Sequence, residues 1–155
     1  MLDLKLEALK VRKGIEQIAH DKSHFFSNNF PINACKHASI FLCYHLETCG
    51  LDVPIDVVFG VSNKRDRKVG HWWIEVGGYL IDLTADQFNI IEENELSYKI
   101  RAGRSFLPVY CCPITKAPHH RIFSCVDQQS FTWNIDEIDE VYIEFLVLDY
   151  ERLNL

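Results

Sequence analysis

The chain has 155 residues, 48% of them apolar and 25% charged, with 16 Lys+Arg against 22 Asp+Glu and a net charge of −6. This size and composition belong to one packed globular domain, not to a disordered, collagen-like or repeat-array chain. The acidic balance argues against a general nucleic-acid binder, whose phosphate contacts need clustered Lys and Arg, and the one basic cluster, Lys64-Arg65-Asp66-Arg67-Lys68, reads as a solvated loop.

Residues 4–20 carry Leu4, Leu6, Leu9, Val11, Ile15, Ile18 and Ala19 among charged residues, the pattern of an amphipathic helix. Its lead-in, Met1 to Glu7, alternates apolar and charged residues without the apolar core of a signal peptide. No later stretch approaches the ~20 apolar residues of a membrane span. A cytoplasmic protein with no membrane contact is therefore expected, its six cysteines present as thiols. None of them forms a CxxC pair, which argues against structural zinc, and no metal or other cofactor is expected.

Residues 21–33 are rich in Asn and Ser and broken by Pro31, so a loop is expected there. A second helix should open near Asn33 or Ala34, with Asn33 as its N-cap and Ala38, Phe41, Leu42 and Leu46 as its apolar stripe. Gly50 is placed to end it. Residues 55–61 read as a buried strand, followed by a charged loop over 62–68. Gly77-Gly78 then separates two β-rich runs, His71 to Val76 and Tyr79 to Thr84, which is a hairpin signal. Residues 92–132 are interrupted by Pro108, Pro113 and Pro118 and carry no clear period. From Ile135 the apolar residues at 135, 138, 141, 145 and 148 have helical spacing, although 141–143 and 145–148 would also suit strands.

Cys35 falls on the first turn of the expected second helix. The partial positive charge and unpaired N–H groups of a helix N-terminus stabilise a thiolate, the nucleophilic form of cysteine. The Cys35 backbone N–H is also positioned to serve a developing oxyanion. In the hairpin, a two-residue turn at Gly77-Gly78 sets Trp73 opposite Asp82 and His71 opposite Thr84. Because side chains alternate faces, His71, Trp73, Leu80, Asp82 and Thr84 then share one face, with Asp82 the diagonal neighbour of His71 at roughly 7–8 Å between backbones. A carboxylate beside an imidazole fixes its tautomer and stabilises its protonated form. An imidazole held in that way can take the proton of a nearby thiol. Asp86 has the same parity and is the alternative orienting acid.

The order of cysteine at a helix start, histidine opening a strand and aspartate on the next strand resembles the transglutaminase-like and papain-like cysteine enzymes. The stretch from His71 to Thr84, HWWIEVGGYLIDLT, is similar to the HxWxEx…G…xDxT block of that family, and Asn33-Ala34-Cys35-Lys36-His37-Ala38-Ser39 resembles its nucleophile-helix start. The resemblance implies an α+β core over residues 29–88, the cysteine helix packed on an antiparallel sheet. It also implies Cys35 as nucleophile, His71 as base and Asp82 as orienting acid. The N-terminal helix and residues 92–155 match nothing in it. Papain-like members carry a glutamine oxyanion donor six residues before the cysteine. Here that position is Asn29, with Asn33 nearby, and both also read as turn formers. Trp72, beside His71, and Thr84, Asp86 and Gln87 are candidates to border the site.

Cys111-Cys112, His119-His120 and Cys125 have no spacing in which two ligands grip one ion from a single turn, and are set aside as metal ligands. The expectation is a cysteine-dependent hydrolase that forms a thioester with a protein or peptide substrate. A glutamine deamidase, a transglutaminase, and a non-catalytic binding module using the Trp72-Trp73 region remain as alternatives. The substrate's identity and the oligomeric state are not legible.

Overall fold

The computed structural model describes residues 1–64, 67–132 and 138–155. Helix α1 spans Leu4–Ala19 and is capped by Asp3, whose carboxylate accepts from the Leu6 N–H at 3.1 Å. Its buried residues include Ala8, Val11, Ile15 and Ile18, one stripe at three- and four-residue spacing. Helix α2 spans Cys35–Thr48. Asn33 is not its N-cap: Ala34 holds that position, and no side chain caps the first turn. Asn33 instead adopts a left-handed backbone with φ 57°, a conformation asparagine tolerates, so it closes the preceding turn. At the far end Gly50 has φ 80°. The N–H groups of Gly50 and Leu51 return to the carbonyls of Glu47 and Leu46 at 2.9 and 3.0 Å, the pairing of a Schellman cap.

Among the described residues five strands form one antiparallel sheet in the order β4-β3-β2-β1-β5. They are β1 Ile55–Lys64, β2 Arg67–Val76, β3 Tyr79–Asp82, β4 Tyr110–Pro113 and β5 Ser124–Ser130. The stretch expected to be a charged loop over 62–68 is largely strand, with Ser62 paired to Val69 and Asn63 to Lys68. Ser62 is buried and its hydroxyl meets that of Ser97 at 2.6 Å, which holds the strand end inward. Arg65 and Asp66 lie outside the described residues.

The β2–β3 hairpin has the expected two-residue turn: Val76 pairs with Tyr79 and Ile74 with Ile81. Gly77 and Gly78 have φ 56° and 81°, the two positive values that a type I′ turn requires and that glycine adopts without strain.

Burial follows the two faces of this sheet. Val57, Ile74, Val76 and Ile81 pack with Val11, Ile15, Phe41 and Leu46 of α1 and α2. On the opposite face Val58, Trp73 and Leu80 pack with Phe88, Leu96, Ile100, Phe106 and Phe123. That second layer comes from the stretch with no sequence period. It contains short 3-10 turns at Ala85–Asn89 and Glu93–Glu95, helix α3 at Tyr98–Ala102 and helix α4 at His119–Ile122. Helix α5 spans Glu140–Arg152 and starts from Asp139, whose carboxylate accepts from the Tyr142 N–H at 2.8 Å. An earlier start at Ile135 falls outside the described residues. The expected apolar stripe is not the buried one: Val141 and Leu148 are half exposed, while Leu146 and Asp149 are buried. The helix turns this way because the Asp149 carboxylate accepts from the Ser23 hydroxyl at 2.6 Å and the His24 N–H at 2.8 Å. No described helix is long and apolar enough to cross a membrane. The architecture is α+β.

Candidate active site

β3 stops at Asp82, and the chain turns away through the 3-10 turn at Ala85–Asn89. The edge of β2 beyond that point is therefore uncovered by a neighbouring strand, and His71 sits there. Its side chain is 0% exposed and that of Asp82 is 1% exposed. Both lie on the Trp73 face, as the alternation expected from the turn requires. The His71 Nε2–H donates to Asp82 Oδ2 at 2.6 Å. The His71 ring also packs against Phe88 and Phe123, with centroids 4.9 and 5.4 Å apart.

Asp82 is surrounded by donors. Its Oδ1 accepts from the Thr84 N–H at 2.8 Å and the Thr84 hydroxyl at 3.2 Å. Its Oδ2 accepts from His71 and also from His119 Nε2 at 2.8 Å. Burial alone would raise this carboxyl, but the charge of His71 and the bonds from His119 and His71 hold it well below the ordinary carboxylate range. For His71 the balance tips the same way: burial opposes the charged form, yet Asp82 and then Cys35 raise it to about 10. His119 is lowered, chiefly by burial, so of the two rings on one carboxylate His71 carries the proton at neutral pH and His119 is neutral.

Cys35 opens α2 and is half buried. It acts on His71 both by hydrogen bonding and by charge. Since Nε2 of that ring is held by Asp82, Nδ1 is the nitrogen left to face the sulfur. Gln87 steadies this corner. Its Nε2 lies 3.5 Å from His71 Nδ1 and donates to the Thr84 carbonyl at 3.1 Å, and its Oε1 accepts from the Asn33 N–H at 3.3 Å. That last bond ties the start of α2 to the uncovered end of the sheet.

The other candidates lie elsewhere. Asp86, the alternative orienting acid, faces Arg12: its two oxygens accept from Nη1 and Nη2, each at 2.8 Å. Asn29 is exposed, and its backbone joins the local turn, with Ser27 and Ile32. The Asn33 side chain is exposed as well, and that residue reaches the site through its backbone. Trp72 points to the α2 face, stacked on Phe59 at 4.7 Å with the Lys36 ammonium 5.1 Å from its ring centre. Of Thr84, Asp86 and Gln87, the first and last touch the His71–Asp82 pair. His119 is the one member of this cluster that the spacing of the sequence did not indicate. It stands 37 residues beyond Asp82, and no local pattern links the two.

Two clusters have the donor types of a metal site: Glu7 with His45 and Cys49, and His71 with Asp82 and His119. In the second, both ring nitrogens touch one oxygen at 2.6 and 2.8 Å. Ligands about 2 Å from a zinc ion at tetrahedral angles stand more than about 3 Å apart, so these contacts are N–H donations to a carboxylate. In the first, His45 Nε2 meets Glu7 Oε2 at 2.7 Å, again hydrogen-bond spacing.

No family model, curated protein or solved structure matches the chain.

Proposed function

We propose that the chain is a cysteine-dependent hydrolase acting on a carboxamide or peptide carbonyl of a protein substrate, built on a papain- or transglutaminase-like core. The observation that supports this reading is the buried imidazole of His71, held at Nε2 by Asp82 and engaged by the Cys35 thiol at the first turn of α2.

In this reading His71 already carries the proton of the Cys35 thiol on Nδ1, and the sulfur bonds to the carbonyl carbon as the anionic partner of that imidazolium. The carbonyl oxygen becomes an oxyanion beside the Cys35 backbone N–H, at a helix start that no side chain caps. Collapse of this intermediate breaks the C–N bond, and the leaving amine or ammonia takes the proton from His71. A thioester remains on Cys35. Water, deprotonated by His71, attacks the thioester. The intermediate expels the sulfur as its anion, the acid product departs, and His71 keeps the proton, which restores the starting ion pair. Asp82 stays ionised throughout and stabilises the imidazolium.

The test is selective alkylation, and the other thiols make it discriminating. Burial and nearby carboxylates raise the exposed Cys49 and Cys125, and burial raises Cys43, Cys111 and Cys112. At pH 6 iodoacetamide is expected to modify half-buried Cys35 before exposed Cys49 and Cys125, with the rate falling about tenfold or more in His71→Ala. An activated acyl ester should leave a thioester adduct on Cys35. Uniform labelling of the six cysteines, or Cys35 as the slowest, would overturn the reading.

A further inference from the structure

Four bonds converge on Asp82: one from His71, two from the adjacent Thr84 and one from the distant His119. His119 Nε2 lies 2.8 Å from the same Oδ2 that His71 holds at 2.6 Å. The ring is buried, between the edges and faces of Trp73 at 5.2 Å and Tyr110 at 5.0 Å. Its Nδ1 is fully enclosed and, among the described residues, has no hydrogen-bond partner. A neutral imidazole has one N–H, and an ionised carboxylate accepts but does not donate. The proton of His119 must therefore be on Nε2, and the enclosed Nδ1 is a bare lone pair. That arrangement is less costly than a buried N–H left without an acceptor. A ring held in this tautomer is a fixed donor aimed at Asp82.

We infer that His119 is a positioning residue that shares the Asp82 carboxylate with His71 and so restrains the basicity of the proposed catalytic imidazole. Oδ1 is already satisfied by the Thr84 N–H and hydroxyl, which fix the carboxylate's rotation. The bond from His119 adds something different. It places the positive end of a second N–H dipole on the oxygen that His71 uses. This draws off part of the charge that stabilises the His71 imidazolium. A base left alone with a buried carboxylate would hold its proton too tightly to pass it to a leaving amine. The groups that face His71 are Asp82 on β3, Cys35 on α2 and His119 on α4, with Gln87 as the uncharged neighbour. Burial and the charge of Asp82 raise Tyr110 of β4, and His120, itself bonded to Glu75, acts on His119.

The role assigned to His119 rests on the cysteine-hydrolase reading, but its electrostatic content can be measured without turnover. Imidazole 15N chemical shifts followed against pH report each ring's tautomer and midpoint. In the wild-type protein His119 is expected as the neutral Nε2–H tautomer at pH 7, and His71 as an imidazolium. In His119→Leu the His71 midpoint should rise by about one pH unit, since a hydrogen bond to a charged group is comparable in size to that shift. His119→Gln, whose amide N–H can replace the ring donor, should restore the wild-type midpoint. A His71 midpoint unchanged in His119→Leu would overturn the inference. So would His119 found protonated on Nδ1 in the wild-type chain, a result that holds even if the leucine variant does not fold. If alkylation shows Cys35 to be unreactive while the His71 midpoint still moves, the cysteine reading fails and the charge sharing stands.

Discussion

At the scale of single residues the site is governed by one buried charge pair. His71 and Asp82 are almost fully enclosed, and burial alone would neutralise both. Each keeps its charge because the other supplies it with an opposite charge at 2.6 Å. The consequence for stability has a definite sign. His71 is raised to about 10 in the folded chain, against about 6.5 when unfolded. Its contribution is fully present below 6.5 and is lost as pH rises from there through about 10. Asp82 is lowered, so its contribution is present above the ordinary carboxylate range and is lost as pH falls below it. Thermal unfolding temperatures are therefore expected to be highest near pH 5–6 and to decline towards pH 10. In Asp82→Asn the alkaline decline should be largely gone, and an unchanged slope there would contradict the assignment. Cys35, His71 and Asp82 were legible as residue types and parities. His119 was not, because its partner is distant in the chain and nothing local marks a histidine that will meet a buried carboxylate.

At the scale of elements, strand β1 accommodates the site by leaving space. Gly60 pairs with His71 across the β1–β2 ladder. A Cβ at Gly60 would stand 2.6 Å from the Trp73 ring and 2.7 Å from Phe123 Cβ. Those two side chains also pack against His71 and His119. Gly60→Ala should therefore cost about 1–3 kcal/mol, as overpacked cores do. The measurement is the urea midpoint at constant slope, and a variant as stable as the wild type would show that the rings shift freely. The register of the β2–β3 hairpin was readable from Gly77-Gly78, because a two-residue turn sets which residues face each other and on which side. The start of α2 was readable to within a residue, but not its cap. Asn33 has the chemistry of an N-cap, yet the turn before the helix needs a positive φ, and Gln87 uses its N–H.

At the scale of the whole molecule, Arg12 holds remote parts of the chain around the site. Its guanidinium donates to the carbonyls of Leu83 and Pro108 at 2.7 and 3.0 Å, to Asp86 twice and to Glu16. It therefore ties α1 to the segment just after Asp82 and to the approach to β4. Arg12→Met is expected to cost about 3–5 kcal/mol, because it leaves a mostly buried carboxylate and two carbonyls unpaired. Adding Asp86→Asn should recover part of that loss. Equal stability of the single and double variants in chemical denaturation would show that the charge of Asp86 is not what the arginine offsets. Asp86, a plausible orienting acid by parity alone, is thereby committed to a structural ion pair, and Asp82 is left as the carboxylate that reaches His71.

Helices α1 and α2, the β2–β3 hairpin and the shared face of His71 and Asp82 were all legible in the chain before any folding. Each of these follows from period, turn chemistry or alternation, all of which act within about twenty residues. The tertiary structure alone decided how residues 92–132 form the second layer over Trp73. It also decided which face of α5 is buried, the pairing of Arg12 with Asp86, and the arrival of His119 at Asp82. The last three of these join residues from 37 to 126 positions apart. They depend on which surfaces meet once the sheet is assembled, and no local repeat in the chain encodes that.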